Sequence, residues 1–332
     1  MTRVTVLGTG AWGTTLGQVL CDAGHQVLIW GRNKEVVAEI NSSRSNHKFL
    51  PGIFLPQNLA ATVTIEEAFH FGEVIILAIP SQTLRINLRN WRPQFPKDRP
   101  IISTLKGIEA ETMSRMTEVI IQELGIDLSL IGLITGPNLA GELSLREPAG
   151  AVAAASSSEM QAIMIDLFTT PYFRIYPSDD LVGCELAGAA KSVVALAVGM
   201  TIGMNLGENT QAMVITRGLS EVARFGQSYG ANPLTFLGLA GMGDIVASCG
   251  SALSRNRQFG EAFGRTGTIE GAKLDVAKTV EGVASAPAIR ELAHRVGVEV
   301  PIIEVMADAV TGSITPAQAM ERLMLVSTLA EL

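Results

Sequence analysis

The sequence has few residues of the kinds that build metal sites and disulfide frameworks. Its 332 residues include three cysteines and four histidines. No two cysteines form a CxxC pair, and Cys21, Cys184 and Cys249 are far apart in the chain. A zinc site or a disulfide framework needs such residues at close spacing. We therefore expect neither, and no metal is predicted.

Charged residues are scarce as well. They make up 17 % of the chain, hydrophobic residues make up 47 %, and the formal net charge is −7. This composition is typical of a globular protein with much buried surface and argues against a disordered chain. A nucleic-acid-binding surface is usually basic, so nucleic acid is not an expected partner. The length suffices for two domains, each with its own core.

No signal peptide is expected either, because Met1 leads almost directly into the strand-like segment VTVLG. A cytoplasmic location is therefore expected. One apolar run, residues 186–204, is nearly long enough to span a membrane. Lys191 lies well inside this run, three glycines dilute it, and Glu185 adjoins it. These features predict a buried helix of a soluble all-α domain and not a membrane span.

Lys191 is the only charged residue of that apolar run. A buried ammonium is unfavourable unless something compensates its charge. Burial in general favours the neutral amine of a lysine, which can act as a base near neutral pH. The alternative is a structural lysine whose stem lies in the core while its head reaches water. A nucleotide-binding signature at the start of the chain favours the catalytic interpretation.

The chain opens with a strand–turn–helix–strand unit. A β-branched run at 4–7 ends at GTGAWG, a helical stretch covers 13–23 with Gly24 as its C-cap, and a second strand covers 25–30. A doubly wound sheet begins in this way. Parallel strands that are buried on both faces read as continuous apolar runs. Such runs predict further strands at 74–79, 100–105, 130–135, 149–155 and 171–176.

Strand signals disappear after about residue 178, and long helical stretches rich in Ala, Leu, Met and Gly follow. The predicted fold class is an α/β Rossmann-type, doubly wound parallel sheet domain followed by an all-α C-terminal domain. We place the NAD(P)-binding Rossmann-type domain at residues 1–180 and the all-α substrate-binding domain at residues 181–332.

The glycine pattern GTGAWG is the first candidate for a binding site. Gly8 permits a tight turn, Gly10 lets the backbone approach a pyrophosphate, and Gly13 allows close packing of helix on strand. The N-terminus of the following helix then presents free N–H groups to the phosphates. Such a pattern between a first strand and a helix is moderately specific. The alternative is an ordinary glycine-rich turn.

The end of the second strand sets the cofactor preference. An Asp or Glu there would hold the ribose 2′-hydroxyl of NAD, but this chain reads Gly31-Arg32-Asn33. An arginine can pair with a 2′-phosphate and stack on adenine. We predict from Arg32 that NADP(H) is accepted and can be preferred over NAD(H). The alternative is a solvated surface arginine.

Two more strand ends carry candidate polar groups. Lys106 follows the strand predicted at 100–105, and Gly136-Pro137-Asn138 follows the strand predicted at 130–135. Pro137 is a good first helical residue, so Asn138 and its neighbours are expected to offer N–H groups to an anion or a carbonyl. Ligands of open α/β sheets bind outside the carboxyl ends of the strands. The alternative is a plain strand-end loop at each position.

The second domain offers a third candidate site. Asp244 lies in LAGMGDIVAS, where the glycines allow a close turn of the backbone. Ser254 is a natural N-cap for the helix that begins RNRQFG, Arg255 supplies a charged fork, and Asn256 follows it. Together they form an anion-binding site at the start of a helix. The alternative is a capped surface helix with a solvated arginine.

These motifs, in this order and spacing, resemble those of bacterial-type NAD(P)-dependent glycerol-3-phosphate dehydrogenases. The resemblance runs nearly end to end, and GPNLAGEL and SRNRQFG are far more specific than the glycine pattern. The other segments that carry it are GTGAWG, STLKGIE around Lys106, GAAKSVVALAVGM around Lys191, NTQAMVITRGL from Asn209, AGMGDIVASC around Asp244 and VEG at Glu281.

The resemblance implies reversible hydride transfer between NAD(P)H and dihydroxyacetone phosphate, which gives sn-glycerol 3-phosphate for phospholipid synthesis. It implies that Lys191 is the proton acceptor and that the protein is a homodimer. It also implies an all-α domain like the C-terminal domain of 6-phosphogluconate dehydrogenase. Matches to substrate-contacting positions are Lys106, Gly136, Asn138, Lys191, Asp244, Ser254, Arg255 and Asn256. The cofactor-contacting set comprises Gly8, Gly10, Ala11, Trp12, Gly13, Arg32, Lys106, Ala140, Arg255 and Glu281.

The chain departs from the family pattern at two positions. The family usually has Ser or Thr where this chain has Asn138, and Asn where it has Ser192. Our hypothesis is that these small polar replacements compensate each other in the substrate site. Two other functions stay open at this point. One is a related dehydrogenase of a 3-hydroxy acid or a sugar acid phosphate, and the other is a non-catalytic NADP(H)-binding sensor.

Overall fold

The computed structural model describes residues 1–276 and 280–325 of the chain. The chain forms two compact units. Unit 1 comprises Met1–Lys106 and Arg115–Glu185, and unit 2 comprises Gly107–Ser114 and Leu186–Leu332. The chain therefore passes from one unit to the other three times, because the short segment Gly107–Ser114 belongs to unit 2.

Unit 1 contains a sheet of eight strands in the order β3-β2-β1-β4-β5-β6-β7-β8. The neighbouring pairs from β3 to β6 are parallel, β6 and β7 are antiparallel, and β8 is parallel to β7. The strands are β1 (Arg3–Leu7), β2 (Gln26–Trp30), β3 (Leu59–Thr62), β4 (Val74–Leu77), β5 (Ile101–Ser103), β6 (Ile131–Thr135), β7 (Ala149–Ala155) and β8 (Phe173–Ser178). The predicted α/β class is confirmed.

Helices cover both faces of this sheet, because the central strands are apolar on both sides. In β4, Val74 and Ile76 belong to one hydrophobic core while Ile75 and Leu77 belong to the other. Full burial of each such side chain contributes about 1.5–3 kcal/mol relative to exposure. The helices of unit 1 are α1 (Ala11–Asp22), α2 (Lys34–Ser43), α3 (Ile65–Phe71), α4 (Leu84–Trp91), α5 (Met116–Leu124), α6 (Ala140–Ser144) and α7 (Ser158–Phe168). The first core takes side chains from α1, α2 and α7, and the second takes them from α3, α4 and α5.

The strand predicted at 149–155 forms as β7, but it runs opposite to the six strands before it. The register pairs Thr135, the last residue of β6, with Val152. The connection holds only the five-residue helix α6, which packs on α1. A parallel return needs a crossover that traverses the length of the strands, usually through a full helix. A five-residue helix rises only about 7.5 Å, less than the length of β6, and β7 therefore starts at the same edge in the reverse direction.

The described residues 179–276 and 280–325 contain no strand, and the predicted all-α second part is confirmed. Its helices are α8 (Leu181–Gly203), α9 (Glu208–Ser228), α10 (Pro233–Leu237), α11 (Asp244–Gly250), α12 (Arg255–Thr266), α13 (Ile269–Asp275), α14 (Glu281–Arg295), α15 (Pro301–Val310) and α16 (Pro316–Leu325). A single π-helical turn, Leu239–Gly243, precedes α11.

The apolar run forms α8, the one described helix that is long and apolar enough to cross a membrane. Of its most apolar 18-residue window, 89 % is buried inside the protein, as in the core helix of a soluble protein. Glycines on both helices allow backbone contact between α8 and α12. A Cβ on Gly199 of α8 would overlap the carbonyl oxygen of Arg257, and one on Gly260 of α12 would overlap that of Leu196. This contact places the first turn of α12 beside the helix that carries Lys191.

Candidate active site

The glycine turn follows β1 and has the geometry of a dinucleotide loop. Gly8 has φ 138°, a left-handed value that favours glycine. Helix α1 begins at Ala11, and its N-cap Gly10 provides no side-chain hydrogen bond. The first N–H groups of a helix attract anions when no side chain caps them. Trp12 in this first turn packs against the hydrophobic core.

Gly10 tests whether the turn fits a cofactor. A Cβ added to Gly10 would meet no described atom within 4 Å, whereas one on Gly8 would overlap the carbonyl oxygen of Ala78. Packing within the described chain therefore explains the glycine at position 8 but not at position 10. Close approach by a pyrophosphate would explain it, because a side chain there would fill the ligand's space. The turn fits a nicotinamide dinucleotide in this respect.

No acidic residue stands at the end of β2. Gly31 follows the strand, and Asn33 is the N-cap of α2, with Oδ1 accepting hydrogen bonds from the backbone N–H groups of Glu35 and Val36 at 2.9 and 3.1 Å. Arg32 is exposed and has no hydrogen bond or ion pair with another described residue. Its guanidinium is therefore available to an external anion.

The ends of β5 and β6 are brought together, as predicted from their positions in the sequence. Lys106 donates a hydrogen bond from Nζ to the carbonyl oxygen of Gly136 at 2.8 Å. Asn138 donates from Nδ2 to the carbonyl oxygen of Gly150 at 3.0 Å. The Oδ1 atom of Asn138 is buried and has no hydrogen-bond partner among the described residues. A ligand with a donor group could supply that partner.

The prediction that Pro137 is the first residue of a helix is wrong. Helix α6 begins at Ala140 with Leu139 as its N-cap. The bond from Asn138 to the backbone of β7 holds the chain beside the sheet, and the helix starts only where the chain reaches α1. There Thr15 donates from Oγ1 to the carbonyl oxygen of Ala140 at 3.1 Å.

In unit 2, Lys191 forms a buried polar cluster with two residues of α11. Its Nζ donates to Asp244 Oδ1 at 3.0 Å and to Ser248 Oγ at 2.6 Å. The side chain of Lys191 is 12 % exposed and that of Asp244 is 3 % exposed. Asp244 therefore compensates the charge of the lysine inside the apolar surroundings. An ammonium has three N–H donors, so this cluster leaves one for a further acceptor.

Ser248 was not among the residues predicted from the sequence. The signal for it was the spacing of Asp244 and Ser248, which are four residues apart and therefore lie on one face of a helix. The hydroxyl is 3.4 Å from Asp244 Oδ1 as well as close to the lysine. It can thus accept from Lys191 and donate to Asp244.

The thiol of the neighbouring Cys249 is unreactive in this arrangement. Burial raises the pKa of its thiol to about 12, although the positive charges of Lys191 and Arg257 act in the opposite direction. The thiol form is a poor nucleophile and a poor metal ligand. No group of three or more His, Cys, Asp or Glu residues that could hold a metal ion occurs in the described part of the chain.

The start of α12 joins three helices of unit 2. Ser254 is its N-cap, with Oγ accepting from the backbone N–H of Arg257 at 3.4 Å. Arg257 in turn donates from Nη1 to the carbonyl oxygen of Cys249 at 3.3 Å, at the C-terminal end of α11. Asn256 accepts from the backbone N–H of Gly282 at 3.0 Å and thereby caps α14.

The predicted residues thus form two groups, one in each unit. The group in unit 1 consists of Gly8, Gly10, Ala11, Trp12, Gly13, Arg32, Lys106, Gly136, Asn138 and Ala140. The group in unit 2 consists of Lys191, Asp244, Ser254, Arg255, Asn256 and Glu281, with Ser248 added by the structure. Arg255 is exposed, and Glu281 is the first residue of α14.

Comparison with known proteins identifies the family. A family model described as NAD-dependent glycerol-3-phosphate dehydrogenase N-terminus matches residues 3–161, and the corresponding C-terminus model matches residues 180–321. A glycerol-3-phosphate dehydrogenase (NAD(P)+) of Streptomyces avermitilis is 44 % identical over 97 % of this chain and 96 % of its own length. One of Corynebacterium glutamicum is 46 % identical over 92 % of each chain.

A solved structure agrees with these relatives. The crystal structure of glycerol-3-phosphate dehydrogenase from Coxiella burnetii has a TM-score of 0.92 and 30 % identity, and covers 98 % of this chain and 99 % of its own. The resemblance seen in the sequence motifs is thereby confirmed. The chain belongs to the family of NAD-dependent glycerol-3-phosphate dehydrogenases, which are NAD(P)-dependent oxidoreductases.

Proposed function

We propose that the chain interconverts dihydroxyacetone phosphate and sn-glycerol 3-phosphate, with Lys191 as the acid–base group. The observation that carries this assignment is the cluster in which Asp244 and Ser248 hold the lysine amine. A general acid or base must be held within reach of the proton that it transfers. The hydrogen bonds to Asp244 and Ser248 fix the position of the Lys191 amine.

In the reduction direction, bound NAD(P)H supplies the hydride that goes to carbon 2 of the ketone. Lys191 uses its remaining N–H to polarise the carbonyl oxygen, and it passes that proton to the alkoxide as the hydride arrives. In the oxidation direction the amine of Lys191 accepts the proton of the 2-hydroxyl group. Asp244 and Ser248 keep the amine in place during both steps.

The anion-binding site at the start of α12 is assigned to the phosphate of the substrate. Ser254, Arg255 and Asn256 combine a helix N-terminus, a guanidinium and an amide, which together suit a phosphate. The other proposed substrate contacts are Lys106, Gly136 and Asn138. Lys106 supplies a positive charge, and the unpartnered Oδ1 of Asn138 can accept from a hydroxyl group.

The proposed cofactor site is the glycine turn with the end of β2. The N-terminus of α1, including Ala11 and Trp12, receives the pyrophosphate, and Arg32 receives the 2′-phosphate of NADP(H). We propose that both NADP(H) and NAD(H) are accepted. The remaining proposed contacts are Gly8, Gly10, Gly13, Lys106, Ala140, Arg255 and Glu281.

The wider assignments from the sequence also belong to this proposal. They are the domain limits 1–180 and 181–332, a homodimer, a cytoplasmic location and a role in supplying glycerol phosphate for phospholipids. The family membership supports them as a set. A dehydrogenase of a 3-hydroxy acid or a sugar acid phosphate and a non-catalytic sensor are less well supported, because the curated relatives named above are glycerol-3-phosphate dehydrogenases.

The test of the reaction follows the absorbance of reduced nicotinamide after addition of dihydroxyacetone phosphate, with NADPH and NADH in parallel. Rapid oxidation is expected. The ratio of the oxidation rates with NADPH and NADH reports whether Arg32 binds the 2′-phosphate. Folded protein that binds NADPH but oxidises neither cofactor would refute the substrate assignment. Hydroxy acids would then be tried in the same assay.

The test of the catalytic residue is Lys191→Ala. Turnover should fall at least about 10²–10⁴-fold, the usual contribution of a general acid–base group, while NADPH still binds. Lys273→Ala is the matched control, since Lys273 is an exposed lysine of α13 in the same unit. Near-normal turnover of Lys191→Ala would overturn the assignment.

A further inference from the structure

The residue that follows β2 must be glycine because a neighbouring side chain leaves no room for a Cβ, and not because of its own backbone conformation. Gly31 is absent from the residues with positive φ in the described chain, so its conformation is open to other residues. A Cβ added to Gly31 would overlap the side chain of Thr9, whose own Cβ would be 2.9 Å away. Thr9 is the second residue of the glycine turn GTGAWG.

The backbone of Thr9 is held in place, and its Cβ can move away from position 31 only if that backbone moves. Thr9 is 8 % exposed, and its carbonyl oxygen accepts hydrogen bonds from Asn46 Nδ2 at 3.0 Å and from Thr14 Oγ1 at 3.3 Å. Asn46 is fully buried and also donates to Thr14 Oγ1 at 2.9 Å. A closely packed interior accommodates an added carbon only by shifting such neighbours.

Position 31 directly follows β2, and cofactor choice in this kind of fold is made at the end of the second strand. In dinucleotide-binding domains an acidic residue at the end of the second strand accepts hydrogen bonds from the ribose 2′-hydroxyl, and its charge repels a 2′-phosphate. Here the residues after β2 are Gly31, Arg32, Asn33 and Lys34, and the first acid is Glu35 in the first turn of α2. The local charge therefore favours a phosphate.

We propose that Thr9 is a specificity-determining residue, which excludes any side chain at position 31 and so keeps a carboxylate away from the 2′-phosphate of NADP(H). Arg32 attracts the phosphate, and Thr9 prevents an acidic substitution at position 31 that would repel it. This inference rests on the proposed use of NADP(H). Thr9 acts through position 31, so changing the cofactor requires changes at both positions.

The test compares wild type, Thr9→Gly, Gly31→Asp and the double variant by titrating NADPH and NADH fluorescence without substrate. Thr9→Gly should keep the wild-type NADPH to NADH ratio of dissociation constants. Gly31→Asp alone should weaken both cofactors and lower the melting temperature. The double variant should bind NADH, and its preference should move toward NADH by about 100-fold, as expected for a like charge placed beside the phosphate.

Two results would overturn the proposal. In one, Gly31→Asp alone changes the preference as much as the double variant, so that Thr9 excludes nothing. In the other, the double variant keeps the wild-type preference. If the aspartate variants do not fold, Gly31→Ala in both backgrounds decides: it should lower the melting temperature when Thr9 is present and not when Thr9→Gly has been made, and equal effects would refute the steric coupling.

The binding assay separates this proposal from the proposed function. A protein that binds both cofactors but does not turn over dihydroxyacetone phosphate would refute the reaction and leave the coupling of Thr9 and Gly31 to be judged by the same titrations. A fully active enzyme without the coupling would refute only the role of Thr9.

Discussion

Replacement of Lys191 by methionine removes the ammonium but keeps an unbranched stem in the core. The structure predicts that this change weakens the fold as well as the chemistry. Asp244, whose side chain is 3 % exposed, would lose its ion-pair partner. Removing one partner of a buried ion pair is strongly destabilising, by about 3–5 kcal/mol, because the other charge stays buried and uncompensated.

The geometry places the expected loss at the lower end of that range. Ser248 Oγ is 3.4 Å from Asp244 Oδ1, and without the lysine its hydroxyl is free to donate to the carboxylate. We therefore expect the free energy of unfolding to fall by about 3 kcal/mol. In the double variant Lys191→Met, Asp244→Asn neither charge of the pair remains, and most of that loss should be recovered.

The measurement is urea unfolding at neutral pH for wild type, both single variants and the double variant, with turnover recorded on the same samples. Turnover should fall about 10²–10⁴-fold in every variant that lacks the lysine, including the restabilised double variant. Stability and activity would then separate. Equal stability of Lys191→Met and wild type would contradict the ion pair, and recovered turnover in the double variant would contradict the catalytic role.

Three further predictions concern Ser248, Glu221 and Gly260. Ser248→Ala should lower turnover about 10-fold to 100-fold, by loss of one hydrogen bond to a charged group, while Ser248→Thr keeps the hydroxyl and most of the activity. Burial raises the pKa of Glu221 to about 7 from 4.5, so its contribution to stability is fully present below pH 4.5 and is lost as the pH rises through 7. That loss is up to about 3 kcal/mol, and pH-dependent unfolding of Glu221→Gln should lack it. Gly260→Ala should destabilise the contact of α8 with α12 by about 1–3 kcal/mol or more in thermal unfolding, whereas Gly250→Ala, with no atom within 4 Å of its new Cβ, should not.

The elements of the fold could be predicted wherever one segment of sequence determines them. Continuous apolar runs located β4 to β7 to within one or two residues at most ends, because strands buried on both faces need no long-range information to be recognised. The reversed direction of β7 could not be predicted from the apolar pattern, since strand direction depends on how the connection crosses the sheet. The start of α5 at Met116 was not in the pattern either, because the residues before it, Gly107–Ser114, belong to unit 2. The short β3, with the sequence LAAT, has four residues and only one large apolar side chain, so it does not stand out.

Some residues of the candidate site could likewise be predicted from local sequence, and others only from the folded chain. Lys191 was identified from one charge in an apolar run, and its partner Asp244 from a glycine-rich segment more than fifty residues away by family resemblance. Ser248 follows from helical spacing once α11 is known. The coupling of Thr9 to Gly31 and the bond from Asn256 to Gly282 join residues that only the folded chain brings together.

Some proposed ligand residues also hold their own unit together, and this determines how their roles can be separated. Asn256 caps α14 through Gly282, so its replacement removes a scaffold bond together with any substrate contact. Lys106 likewise holds the carbonyl of Gly136. Arg32 is exposed and makes no bond to the described chain, so its replacement should change cofactor binding at constant stability. Loss of affinity without loss of stability is therefore the signature of a pure ligand contact, and Asn256 and Lys106 should show both losses.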